Sequence, residues 1–180
     1  MNTNELKSEI ITSLLQLDEE LKITYNTTLE NYLGIQILRS EGMMYECTPE
    51  DAKVFAYTGM GGDHFAFSTQ HGTIYDLDQA PVLFVQPMIL DCPVKVVARN
   101  IRDFFSLYLS LKEIYILERF DWYKSEKDMF LDIEENYAES IIERSDDINF
   151  LSDKLEQYLA IKPIGNAYSY VVRTREDIKC

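Results

Sequence analysis

The stretch Phe55-Ala-Tyr-Thr-Gly-Met-Gly-Gly-Asp-His-Phe-Ala-Phe-Ser-Thr-Gln-His-Gly-Thr-Ile-Tyr-Asp-Leu-Asp78 carries the densest structural signal in the chain. Three short apolar runs are parted by two punctuated segments, Thr58-Gly59-Met60-Gly61-Gly62-Asp63 and Thr69-Gln70-His71-Gly72. Glycine reaches positive φ without a Cβ clash, so Gly-Gly-Asp and His-Gly mark reversals between strands. Phe65 and Phe67 alternate with Ala66 and Ser68, the period of a strand with both rings on one face. The block reads as a β-meander.

Working outward, Glu41-Gly42 turns the chain and Met43-Met44-Tyr45-Glu46-Cys47 reads as an extended piece. Thr48-Pro49-Glu50-Asp51 has the chemistry of a helix start, with a capping hydroxyl, proline first and acids near the positive end. Valine and aromatics follow at once, so the spacing predicts one turn and then a strand from Val54 to Tyr57. On the other side, the segments 81–90 and 94–98 read as two more strands, broken by Asp91-Cys92-Pro93. Asn100 then caps a helix whose Ile101, Phe104, Phe105, Tyr108, Leu109 and Leu111 give it a broad apolar face.

These residues carry a resemblance. Thr48-Pro49-Glu50-Asp51, Phe55-Ala56, Thr58-Gly59, Gly62-Asp63-His64-Phe65, Ala80-Pro81-Val82, Pro87-Met88 and Val96-Val97-Ala98-Arg99-Asn100 running into Phe104-Phe105 are similar to one branch of the SUKH superfamily. That superfamily comprises mostly bacterial immunity proteins, with some cell-wall and stress regulators. The likeness covers about residues 45–112. It rests on glycines, aromatics and caps, which mark a fold and not a chemistry. The resemblance implies immunity by binding a toxin. It assigns no contact residues, because binding surfaces differ among members.

The flanks are helical for the most part. Leu6, Ile10, Leu14, Leu17 and Leu21 step by three and four, giving one apolar stripe on an opening helix. A strand is expected near Ile35. Ser125 opens a later helix whose expected stripe is Phe130, Ile133, Tyr137 and Ile141, and a further helix follows over 148–159. Pro163-Ile164-Gly165-Asn166 is expected to turn into a closing strand over 167–173, with Tyr168, Tyr170 and Val172 on one face. The order helix, strands, helices, strand predicts a single α+β domain over 1–180, a mostly antiparallel sheet with flanking helices.

The 180 residues carry 31 acids against 17 bases, a net charge of −14. Such a surface repels nucleic acid and anionic membranes, attracts basic proteins, and also aids solubility. Cys47, Cys92 and Cys180 are odd in number and widely spaced, the usage of a reducing compartment. Cys180 is expected to be an exposed thiol. The opening residues lack a basic and then apolar leader, so a cytoplasmic location is expected.

Only two histidines occur, His64 and His71, both in the meander with Asp63, Asp76 and Asp78 nearby. A small hydrolase or metal-dependent enzyme centred on them is one reading. Structural roles are the stronger one, because no third or fourth metal ligand has suitable spacing. Gly59-Met60-Gly61-Gly62 lacks the Gly-Lys-Ser/Thr and the helix of a phosphate loop. No serine or cysteine sits in a nucleophile motif. No cofactor is expected.

Nine acids against two bases lie between Glu126 and Asp147, a local net charge of −7. A solvated helix face is the default account. The functional version is an acidic patch for a basic partner, with exposed Trp122 or Tyr123 as anchor and Asp132, Glu135 and Glu139 on one helix face by their spacing. The leading expectation is therefore a non-enzymatic, SUKH-like protein that neutralises a basic, nuclease-like toxin. The rival from another class is a regulatory scaffold that binds several cellular proteins.

Overall fold

Ser8 starts the first helix. Its hydroxyl accepts from the Ile11 N–H at 3.0 Å, and α1 (Glu9–Tyr25) runs until Asn26 adopts a left-handed conformation. The structure, a computed structural model, describes residues 6–178. Cys180, expected to be an exposed thiol, lies outside the described residues. The expected stripe is buried: Ile10, Leu14, Leu17 and Leu21 face the core with Ile11, and Leu6 packs just ahead of the helix. Each such side chain contributes about 1.5–3 kcal/mol by leaving water.

A short α2 (Leu29–Leu33) leads to the two-residue strand β1 (Gln36–Ile37). Then come β2 (Ala52–Tyr57), β3 (His64–Ser68), β4 (Val82–Val85) and β5 (Val94–Ala98). The five strands pair in sequence order, all antiparallel, so the chain is α+β with a meander sheet. α3 (Ile101–Leu111) follows, capped by Asn100, whose side chain accepts from the Asp103 N–H at 2.8 Å. After two single 3-10 turns come α4 (Glu126–Asn136), α5 (Ala138–Glu143), α6 (Ser145–Leu159) and α7 (Ala167–Asp177).

The sheet has two unequal faces. Phe55, Phe65, Phe67 and Phe84 point into the main core with the helices, where Phe55 and Phe67 rings lie 4.5 Å apart and Phe65 and Phe84 rings 4.7 Å apart. Register shifts at Phe55 in β2 and Val97 in β5 each leave one residue unopposed, so Phe55-Ala56 and Val97-Ala98 turn consecutive side chains into that core. The other face, with Val54, Ala66, Leu83, Val85 and Val96, forms a smaller core capped by Leu38, Cys47 and Tyr57. Here the chain crosses at Gly42, where a Cβ would lie 2.6 Å from the Tyr57 hydroxyl and 2.9 Å from Val54. Only glycine fits that crossing.

Four expectations are corrected. Met43–Cys47 pairs with no strand; it lies over the second sheet face, where Met43 N–H donates to the Tyr57 hydroxyl at 2.5 Å. The third run of the meander block, residues 73–77, is not a strand either. Gln70, His71 and Gly72 are all left-handed, which swings the chain off the sheet, and β4 takes the place beside β3. The segment 167–173 is helical: Asn166 accepts from the Ser169 N–H at 2.8 Å, and Ala167, Val171 and Thr174 are its buried face. Finally, the Ser125 helix buries Met129, leaves Phe130 exposed, and breaks at Tyr137 (φ −126°, ψ −13°). The phase set by the Ser125 cap aligns Met129 with Ile133 and Tyr137, four residues apart, and turns Phe130 outward.

Candidate functional site

Ile114, Ile116, Leu117 and Phe120 are buried by the two 3-10 turns after α3. Anchoring those four leaves Trp122 on the outside, 72% exposed. Arg119 holds it there. The guanidinium carbon lies 5.6 Å from the Trp122 ring and 5.5 Å from the Tyr137 ring, and the Nη1 donates to Asp132 Oδ1 at 2.8 Å. Tyr123 donates its hydroxyl to the other Asp132 oxygen at 2.6 Å, and Asn136 Nδ2 donates to Oδ1 at 2.8 Å. Burial, and then its bond to Asp132, pushes the Tyr123 phenol well above its ordinary range.

Trp122 and Asp132 are thus joined through one arginine, 13 residues before Asp132 in the chain. Asp132 accepts from three donors and is tied inward; it is not a free steering charge. Glu135 and Glu139 are exposed, on either side of the break at Tyr137, so the single helix face expected for all three acids is interrupted. Among the described residues no Lys or Arg pairs with Glu134, Glu135, Glu139, Glu143, Asp146 or Asp147. Tyr123, the other expected anchor, is instead buried, with its hydroxyl on Asp132, and the sequence reading missed Arg119 and Asn136 as the scaffold of this site. Asn136, four residues beyond Asp132 on a helix, was the one signal available.

A chain of ion pairs lies behind Trp122. Asp121 takes Lys95 at 2.5 Å on one oxygen and Arg175 on the other. Burial raises the cost of its charge, but the two cations outweigh it and hold the carboxyl below the usual range. Arg175 also stacks over the Phe120 ring at 5.0 Å. Burial and the charge of Asp63 push the Glu118 carboxyl up.

The histidines stand at opposite ends of β3. His64 is fully buried, with Nδ1 donating to the Gly62 carbonyl at 2.8 Å and Nε2 accepting from the Thr48 hydroxyl at 3.0 Å. A carbonyl only accepts, which fixes a proton on Nδ1, and burial lowers the pKa of the ring and so favours its neutral form. Tyr45 stacks on it at 5.6 Å. His71 lies exposed in the left-handed turn past Ser68, its N–H donating to Asp51 Oδ2 at 2.9 Å. The structure does not bring His64 and His71 together, and no cluster of three or more metal-ligating side chains occurs among the described residues. No helix of the described residues is long and apolar enough to cross a membrane. Comparison of the chain with family models, with curated proteins and with solved structures gave no match.

Proposed function

We infer that this chain is a non-enzymatic, SUKH-like immunity protein that binds and neutralises a basic protein toxin, of nuclease-like surface charge, in the cytoplasm. The observation that carries the reading is the exposed Trp122, clamped by Arg119 next to helices whose outward acids have no basic partner within the described residues. An exposed aromatic anchor beside an uncompensated charge field suits a basic protein surface. The net charge of −14 extends that field over the whole molecule. The burial of His64, with a hydrogen-bond partner at each ring nitrogen, favours a structural role over catalysis. In a reducing cytoplasm Cys47 and Cys92 remain thiols.

Binding proceeds by electrostatic encounter and then by steric cover of the toxin's cleft. The test is association with a basic, nuclease-like toxin domain, followed by stopped flow over a salt series. Association is expected to slow steeply with salt while dissociation changes little. Replacing Trp122 by alanine is expected to speed dissociation at least tenfold. An unchanged dissociation rate for Trp122→Ala, with salt-independent association, overturns the reading.

A further inference from the structure

A second exposed surface lies at one end of the sheet, where the β2–β3 turn (58–63), the β4–β5 loop (86–93) and the crossing segment 43–47 meet. Contacts tie the three together. The Tyr45 ring fills the space where a Cβ on Gly62 would stand, 2.6 Å away, and Met88 Cγ lies 3.5 Å from the equivalent point on Gly61. Gln86 Nε2 donates to Asp63 Oδ2 at 3.2 Å, and Met43 N–H reaches the Tyr57 hydroxyl at the end of β2. The outward side chains here are apolar: Met43, Met44, Tyr45, Met60, Met88 and Leu90 are all exposed, Leu90 at 96%. Four of the six methionines in the chain stand on this end, while Met129 alone is buried among the described ones.

Isolated exposed apolar residues need no explanation, but a contiguous group at one end of a fold does. Methionine is unbranched and polarisable, so a methionine-rich surface moulds itself to varied apolar side chains. The charge at this end has one sign. Segments 43–47, 58–63 and 86–93 contain no Lys or Arg; Glu46 and Asp91 are their exposed acids, while Asp63 is buried against Gln86. The base brought closest by a contact, Lys95, meets Gln86 at 3.3 Å but is neutralised by Asp121.

We propose that this end of the sheet is a docking surface for a basic amphipathic segment of a partner protein, apolar side chains on the methionines and lysines or arginines toward the acids. A second copy of this chain would instead bring like charge against like. The surface accepts any partner that offers such a segment, toxin or not, so its test runs without a toxin.

The probe is a fluorescent 14-residue peptide of leucine and lysine in helical amphipathic order, titrated with the full chain. Two controls keep the length: leucine with glutamate, and serine with lysine. Micromolar binding of the leucine–lysine peptide is expected, with both controls at least tenfold weaker. Met60→Gln, Met88→Gln and Leu90→Gln together remove the apolar contacts without changing charge, and all three side chains are exposed, so the fold is retained. This triple variant is expected to lose at least tenfold in affinity, and Met60→Leu with Met88→Leu to keep it. Glu135→Lys with Glu139→Lys, which tests the toxin-facing surface, is expected to leave peptide binding within about threefold. Equal binding to wild type and triple variant overturns the proposal, as does equal binding of the serine–lysine control. A dimer, or binding to neutral phosphatidylcholine vesicles, that the triple variant abolishes would give the surface to another occupant and overturn it too.

Discussion

Asp78 caps a helix that begins 69 residues before it: its Oδ2 accepts from the Glu9 N–H at 2.9 Å, and its Oδ1 from the Ser8 hydroxyl. The excursion after β3 therefore has a structural purpose. Asp76 caps the 3-10 turn at Leu77–Gln79 by accepting from the Asp78 N–H at 3.0 Å, and that turn aims Asp78 at the free amides of α1. Asp78→Ala leaves Ser8 bonded to the Ile11 N–H but strips the Glu9 and Ile10 amides of their acceptor. The expected loss is about 1–2 kcal/mol in the denaturant midpoint, with part recovered by Asp78→Asn. Equal midpoints for wild type and alanine variant would show that water replaces the cap.

The turn from β2 to β3 depends on Gly62, at φ +84° with the Tyr45 ring against it. A valine there suffers twice, from the left-handed backbone and from the collision with Tyr45. Gly62→Val is expected to cost about 1–3 kcal/mol. Gly59, also at positive φ but with open space around it, separates the two effects, since Gly59→Val pays the backbone strain alone. The Gly62 variant is therefore expected to be the less stable in the same denaturant series.

Elements set by local chemistry were legible in the sequence. The Asn100 cap, the α1 stripe and the glycine turn each depend on residues within a few positions of one another. The closing segment shows where local chemistry fails. Tyr168, Tyr170 and Val172 repeat at two, while Ala167, Val171 and Thr174 repeat at three and four. Packing decides between them: the Tyr170 hydroxyl donates to Asp103 at 2.9 Å and Arg175 Nε to the Val96 carbonyl at 3.1 Å, contacts across 67 and 79 residues. The site divides in the same way. Glu135 and Glu139 stand outside as their types suggest, and Trp122 stands outside against its type, whereas the tethering of Asp132 by Arg119 and Tyr123 needed the fold.

His64 makes stability depend on pH. Burial holds its imidazole below the ordinary value of 6.5, against the opposing pull of the Gly62 carbonyl and the Asp63 charge. The unfolded chain then binds a proton more readily than the native one, so stability declines as pH falls below about 6.5. Asp63 works in the opposite sense at lower pH. Burial raises its carboxyl above 3.8, and its contribution is complete below that value and lost as pH rises through the folded pKa. The wild type is expected to be less stable at pH 5.5 than at pH 7.5, and His64→Gln to show a smaller difference. Denaturant midpoints at the two pH values decide it; an undiminished difference in the variant would place the titrating group elsewhere.

Asp132, Glu135 and Glu139 divide into one structural and two free acids, and charge reversal at each tells them apart. Asp132→Lys puts a cation beside Arg119 and leaves the Tyr123 hydroxyl without its acceptor. That change is expected to cost about 2 kcal/mol or more, as removal of one partner from a half-buried charged network does. Glu135→Lys and Glu139→Lys touch only solvent-facing side chains and are expected to cost within about 0.5 kcal/mol each. Asp132→Asn gives an independent readout, because part of the upward shift of the Tyr123 phenol comes from bonding to Asp132. Ultraviolet titration of that variant is expected to show one tyrosine ionising closer to its ordinary range. The double variant Glu135→Lys with Glu139→Lys, folded and changed by four charge units, then isolates steering. Its association with a basic toxin is expected to fall about tenfold at low salt, with the deficit vanishing as ionic strength rises. Wild-type association across the whole salt series would make these two glutamates a solvated face and leave Trp122 to bind without them.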